Sequence, residues 1–487
     1  MKSSKAIALK NNLYIYVAVM VVISILAINY IRRLNMEDKI RSDFDFIYQA
    51  MQEDLRNNVL ENKGKGCIMP KLDPFDEDVL INEKKLPTGV CEGKDWVECI
   101  FDKCSVAKTV QDDLKDVSCV YRDIVYVGNT TQHLGPARTL NDGQIYRLRK
   151  SDFVHVACIG INRLHPGPQF KWSGFKAGLR RVHLRKRSSR GPRLNVAMLC
   201  FGAMSKNSFT RKMPESLATL KKMGAFILNG YNIVGDGTSG ALFPIFVGDE
   251  MNITRSTEFF DAKDCILHQL FKMGYRTAYF GDSPVHGTFK GTFDDSQSLP
   301  TDHHLLPLLY SVYGKTRANT RHFCFGDMPL YRLLLNLTHQ FTRLNGPRFS
   351  FTFITDVNHD EFNMASAADA DLASFLHRFH KSRHMKKTML FVMGAHGSSF
   401  SSLREVPQLT LEDHLPLMAL VLPDRLKQIR PDATTALAAN LDVLTTPFDI
   451  HSTLTDVLGI EDTRNQYTVP GADMERGLTL LRPVSVC

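Results

Sequence analysis

The sequence predicts an α/β protein built on a doubly wound, mostly parallel sheet, and three observations carry that expectation. From about residue 193 onward, short apolar runs alternate with amphipathic patterns of helical period, the mark of βαβ units. The chain has 487 residues, 44% hydrophobic and 23% charged, which is ordinary globular material for one large domain plus an extension. Polar and glycine-rich clusters follow the apolar runs, where an open α/β sheet places its ligand crevice.

Strands are predicted at Asn195–Phe201, Arg276–Phe280, Phe349–Thr355, Thr388–Met393 and Leu415–Leu422. Helices are predicted at Pro214–Met223, Asp264–Met273, Asp369–His380 and Thr446–Leu458, the third with Leu372, Phe375, Leu376 and Phe379 on one face. The loops at strand ends read Gly202-Ala-Met-Ser-Lys206, Gly235-Asp-Gly-Thr-Ser-Gly240, Gly281-Asp-Ser-Pro284, Asp356-Val-Asn-His-Asp360 and Gly394-Ala-His-Gly397.

Ahead of this domain, Leu13–Ile31 runs without a charge. At about 1.5 Å per residue it nearly crosses a bilayer core of about 30 Å. Tyr14, Tyr16 and Tyr30 stand near its ends, with Lys10, Arg32 and Arg33 outside them. Asn29-Tyr30-Ile31 is no small-residue cleavage site, so the segment reads as a signal anchor of a single-pass membrane protein. Flanking charge does not orient it. The cysteines and sequons do. Six of ten cysteines, Cys67, Cys91, Cys99, Cys104, Cys119 and Cys158, cluster without the C-x-x-C pairs of a zinc site, so they read as disulfide candidates with fifteen pairings open. The sequons at Asn129, Asn252 and Asn336 point the same way, to an oxidising, glycosylating compartment. The expected protein is type II, in the secretory pathway or at the cell surface, with its body lumenal or extracellular.

The organisation is a cytosolic tail 1–12, an anchor 13–31, a juxtamembrane helix-like stretch 32–60, a cysteine-rich module 61–170, a basic linker 171–192 and the α/β domain 193–480. Most of the net charge of +9 sits in one short stretch: Lys176, Arg180, Arg181, Arg185, Lys186, Arg187, Arg190 and Arg193. A run of like charge reads as a solvated linker, with an anionic glycan or lipid as the alternative ligand. No nucleic-acid motif accompanies it, so nucleic acid is not an expected partner.

Taken in order, Met213-Pro214, Gly230-Tyr-Asn-Ile-Val-Gly-Asp-Gly-Thr238, Pro244-Ile-Phe-Val-Gly248, Gly274-Tyr-Arg-Thr-Ala-Tyr279, Pro300-Thr-Asp-His303, Asn358-His-Asp360, His396-Gly397, Leu415-Pro416 and Leu444-Thr-Thr-Pro-Phe-Asp-Ile-His451 resemble the domain-of-unknown-function-229 family. Cys67-Ile-Met-Pro-Lys-Leu-Asp-Pro-Phe75 extends the resemblance to roughly residues 60–480. That family is similar to sulfatases, nucleotide pyrophosphatases and phosphoglycerol transferases of the lipoteichoic acid type. The resemblance implies an alkaline-phosphatase-like, sulfatase-like core that cleaves or transfers a sulfate or phosphate ester with a divalent cation. It places the nucleophile, also a metal position, on Thr238, a second metal position on His396, and a substrate-contacting histidine on His359. Thr238 also reads as a helix N-cap.

The two acidic metal positions of the pattern fall on Gly202 and Ala395. Two neutral ligands cannot replace the charge that two carboxylates give a divalent ion. Asp236, Asp282 and Asp360 are the nearby carboxylates that remain. Two functions follow: a hydrolase or transferase with reduced or lost activity, and a non-catalytic ectodomain that binds a glycan, lipid or protein partner through the inherited cleft. Asp449 and His451 read as helix-capping, His303 and His304 as weak metal candidates, and Cys200 as a core residue.

Overall fold

A computed structural model describes residues 69–484, apart from 82, 84–90, 128–130, 165–166, 186–193, 250–264, 283–300, 306, 310, 313–323, 358–362, 399–405, 461–465, 470–471 and 476. The chain divides into two compact units, 1–68 with 487, and 69–486, and the described residues all belong to the second. The anchor Leu13–Ile31, its tail, the juxtamembrane stretch and Cys67 lie outside the described residues. Among those described, no helix is long and apolar enough to cross a membrane.

The cysteine-rich module is antiparallel. Strands β1 (Val97–Ile100), β2 (Lys103–Val106) and β6 (Tyr146–Arg147) form one small sheet. Strands β3 (Leu114–Val127), β4 (Thr131–Leu134), β5 (Arg138–Asn141), β7 (Phe153–Asn162) and β8 (Phe170–Ala177) form another. Val117, Cys119 and Tyr121 alternate onto the face that meets Val154, Val156 and Cys158, as a period of two requires. Cys99–Cys104 and Cys119–Cys158 are disulfides between residues already opposed in register. Cys91 pairs with Cys324, a cysteine outside the clustered six.

The main sheet uses β9 (Asn195–Ala203), β10 (Phe226–Ile227), β12 (Arg276–Gly281), β13 (His303–His304), β16 (Arg348–Ile354), β17 (Thr388–His396) and β18 (Met418–Val421), in the order β10-β18-β17-β9-β16-β12-β13. The pairs from β17 to β13 are parallel and β18 is antiparallel to both neighbours, so the mostly parallel expectation holds. Short pairs β11 (Gly230–Tyr231) with β19 (Leu444–Thr445), and β14 (Cys324–Phe325) with β15 (Met328–Pro329), lie outside it. Every residue of β9, β16 and β17 is buried, which is why these strands read as unbroken apolar runs. Ala197, Leu199 and Phe201 join one core cluster with helices Leu330–Thr342 and Asp369–His380. Val196, Met198 and Cys200 join the other with helices Gly237–Val247 and Pro447–Leu458. Helices therefore cover both faces of the sheet, the doubly wound arrangement.

The basic stretch is not a solvated linker where it is described. It begins inside β8, and its cations have acidic partners far away in sequence. Buried Lys176 pairs with Asp95, Arg180 with Asp152 at 2.6 Å, and Arg181 with Asp102 at 3.0 Å. Arg185 forks onto both Asp302 oxygens at 2.7 and 2.6 Å and stacks 3.7 Å from the Phe271 ring. Nor is the module a separate body, since Ile124, Phe153, Ala177 and Leu179 pack in the same cluster as Leu305 and Phe325.

Candidate functional site

The carboxyl ends of β9 and β17 lie side by side, with Phe201 opposite Gly394 and Ala203 opposite His396. Gly202 and Ala395 fall between those pairs, level with each other. By alternation with Cys200 and Met393 they share the face covered by helix Gly237–Val247.

That helix opens on a tight turn. Gly237 has φ +66°, and a Cβ on Gly235 would stand 3.1 Å from the Gly240 Cα, so the turn needs small residues. Asp236 is the N-cap residue, which corrects the N-cap reading of Thr238: the threonine lies inside the first turn. Its Oγ1 is 3.3 Å from the His396 Nε2. The His396 Nδ1 is 2.6 Å from the Gly397 carbonyl oxygen, which can only accept, so Nδ1 carries the hydrogen. Nε2 then presents its lone pair and the Thr238 hydroxyl donates to it. Asp413 places Oδ1 at 3.6 Å from Nδ1, outside hydrogen-bond range.

Asp413 belongs to helix Pro407–His414, whose position is fixed by a buried ionic network. Arg211 forks onto Glu412 at 3.1 and 2.9 Å and reaches Glu83 at 2.7 Å. Ser205, Asn207 and Gln408 donate to the same Glu412 carboxylate at 2.8, 3.2 and 3.0 Å. Burial alone would raise this carboxyl, and the Arg211 guanidinium with Gln408 and Ser205 overrides it, holding Glu412 below the usual range. The strand end is clamped to the same helix: the Gly397 amide donates to the Asp413 carbonyl at 2.7 Å, and a Cβ on Gly397 would meet the Glu412 oxygen at 2.1 Å.

Among the described residues the donor set does not fit a divalent cation. Gly202 and Ala395 offer no side-chain ligand atom. Among the described residues no group of three or more His, Cys, Asp or Glu side chains converges as a metal site. Asp282 is tied to the end of β16, accepting from the Thr355 amide and hydroxyl at 2.6 and 2.7 Å and from the Asp356 amide at 2.9 Å. Asp236 is exposed. His359 and Asp360 lie outside the described residues.

The remaining sequence candidates are structural where they are described. Asp449 forms a capping box with Thr446 and also accepts from the Leu478 amide at 2.8 Å, while His451 bonds the Ile245 carbonyl at 2.8 Å. His303 sits 3.0 Å from the Asp152 carboxylate that Arg180 also binds, a pin between the module and the sheet edge. Cys200 is buried and burial pushes its thiol well up, which suits a core residue. Asn129 and Asn252 lie outside the described residues. Asn336 is half-buried on helix Leu330–Thr342, and its sequon residue Thr338 is fully buried, 2.6 Å from the Thr352 hydroxyl. Sequence reasoning missed Asp413 and the Arg211–Glu412 pair. Three consecutive polar residues, Glu412-Asp413-His414, just before Leu415-Pro416 were the available signal.

A family model described as "Protein of unknown function (DUF229)" matches residues 83–486. No curated protein matches the sequence. Among solved structures the chain is similar to a protein in the alkaline phosphatase superfamily from Vibrio parahaemolyticus, at 16% identity and TM-score 0.41, over 61% of this chain and 72% of that one. It is similar to the lipoteichoic acid synthase LtaP from Listeria monocytogenes at 13% identity and TM-score 0.38, over 60% and 76%. A phosphonate monoester hydrolase of Agrobacterium radiobacter matches at 12% identity and TM-score 0.34, over 55% and 74%.

Proposed function

The chain belongs to the DUF229 family, and from that footing we propose that it is a divergent alkaline-phosphatase-like hydrolase or transferase of a sulfate or phosphate ester, with Thr238 as the reacting hydroxyl and with its ancestral cation site dismantled. One observation carries this reading: the Thr238 hydroxyl meets the His396 imidazole at the carboxyl ends of β9 and β17, the edge where an open α/β sheet binds ligands. The first turn of helix Gly237–Val247 places backbone amides and the positive end of the helix dipole beside Thr238, which suits an anionic ester. With Gly202 and Ala395 where carboxylates are expected, turnover is slow compared with an intact metal enzyme. The reading includes a type II membrane anchor at Leu13–Ile31 and a lumenal or extracellular body. The uncharged segment and three disulfides support that placement.

The test is turnover of 4-nitrophenyl sulfate and bis(4-nitrophenyl) phosphate by the purified full-length chain beside a Thr238→Val variant. Slow release that Thr238→Val abolishes is the expected result. Release that survives the substitution, or none from either protein, sinks the assignment and leaves a ligand-binding ectodomain for a glycan, lipid or protein partner.

A further inference from the structure

We infer that Thr238 is activated by His396 itself, acting as a general base, so that the site carries a nucleophile that works without a metal ion. The inference rests on the reading above for the identity of the reacting hydroxyl. It goes further in assigning the proton. Three contacts define the arrangement. The Nδ1 hydrogen is held by the Gly397 carbonyl at 2.6 Å, which fixes the tautomer. The Nε2 lone pair therefore faces the Thr238 hydroxyl at 3.3 Å, a long hydrogen bond of the kind that tightens when substrate binds. The Asp413 carboxylate stands 3.6 Å from the same Nδ1. The acceptor that orients the imidazole, a carboxylate in nucleophile–base–acid arrangements on unrelated folds, is here the Gly397 carbonyl, with the Asp413 carboxylate beyond it. In a metal site of this ancestry the imidazole would be committed to the cation; here its Nε2 faces the Thr238 hydroxyl.

The chemistry balances without a co-reactant other than water. The Thr238 proton passes to His396 Nε2 as Oγ1 bonds to the sulfur or phosphorus of the ester. The bond to the leaving oxygen breaks, and the departing alcohol takes the proton back from Nε2. Water, deprotonated by the same nitrogen, then cleaves the threonyl ester and restores the hydroxyl.

The experiment uses an electrophile that needs no substrate recognition. The full-length chain, stripped with EDTA, is treated with a fluorophosphonate. An Oγ1–P bond forms, the P–F bond breaks, fluoride leaves, and peptide mass spectrometry locates and times the adduct. The expected result is an adduct on Thr238 in EDTA, formed about a hundredfold more slowly in His396→Gln, the usual worth of a general base. In His396→Ala, added imidazole should restore part of the rate, a gain that loss of folding cannot mimic. Labelling of Thr238 that appears only after Mn²⁺ or Zn²⁺ is added overturns the inference while leaving Thr238 as the reacting hydroxyl. Equal rates in wild type and His396→Gln overturn it as well. No adduct on Thr238 under either condition overturns both the inference and the reading it rests on.

Discussion

Restoring the two acidic positions should turn this site back into a cation site, and the sheet geometry sets the cost of doing so. Gly202 and Ala395 are level on adjacent parallel strands, so carboxylates at both would stand about 5 Å apart, one strand spacing. Two unit charges at that distance repel by about 3 kcal/mol at an effective dielectric of about 20. Ala395 is 1% exposed and packs in the cluster that contains Phe391 and Met418, so water offers little relief. At about 2 °C per kcal/mol for a large domain, the Gly202→Asp/Ala395→Asp variant in EDTA should melt roughly 6 °C below wild type. A divalent ion between the new carboxylates, with Thr238 and His396 completing its shell, converts that repulsion into attraction. Adding Mn²⁺ or Zn²⁺ should recover most of the lost melting temperature, and elemental analysis after dialysis should find one ion per chain. Wild type should show neither response. An ion retained by wild type at the same stoichiometry, or a double variant that never recovers with cation, would refute the view that these positions once held the metal.

Two further outcomes follow from buried charge. Arg211 and Glu412 have side chains 1% and 4% exposed, so Arg211→Met strands a buried carboxylate and should cost about 3–5 kcal/mol, whereas Arg211→Met/Glu412→Gln should cost less than the single change; equal losses in thermal denaturation would show that the pair is not coupled. His304 and His339 are held at about 4, by burial in both and, for His339, also by Arg378 and Arg343. Because the folded values lie below the unfolded value of about 6.5, the fold favours the neutral ring. That stability is fully present above about pH 6.5 and is lost as pH falls toward about 4. A melting-temperature scan should be flat above the upper value and fall below it, less steeply in His339→Gln, and a rise on acidification would contradict the assignment.

The central sheet was legible because strands buried on both faces leave unbroken apolar runs, and β9, β16 and β17 appear within two or three residues of their predicted ends. Strands of two residues, such as β10 and β13, are too short to carry a pattern. Thr238 and His396 were found by motif order and the structure brings them together, but their roles toward each other were not legible. The tautomer of His396 depends on the Gly397 carbonyl, a backbone group that no side-chain pattern reports. The basic stretch differs from its expected form for a related reason. A charge run looks solvated when its partners are distant in sequence, and Asp95, Asp152 and Asp302 lie on segments that only the fold brings near. Cys324 stands alone in sequence, so nothing joined it to the clustered six.

The Cys91–Cys324 bond spans 233 residues, and that span has a meaning in time. A chain emerging at about 5–20 residues per second exposes Cys91 on the order of ten to fifty seconds before its partner exists. Throughout that interval Cys99 and Cys104 are already available a few residues away. The nascent module must therefore either hold a reduced thiol or pass through a provisional bond that is later exchanged. The covalent tie between the module and the segment carrying Cys324 cannot close before Cys324 has emerged.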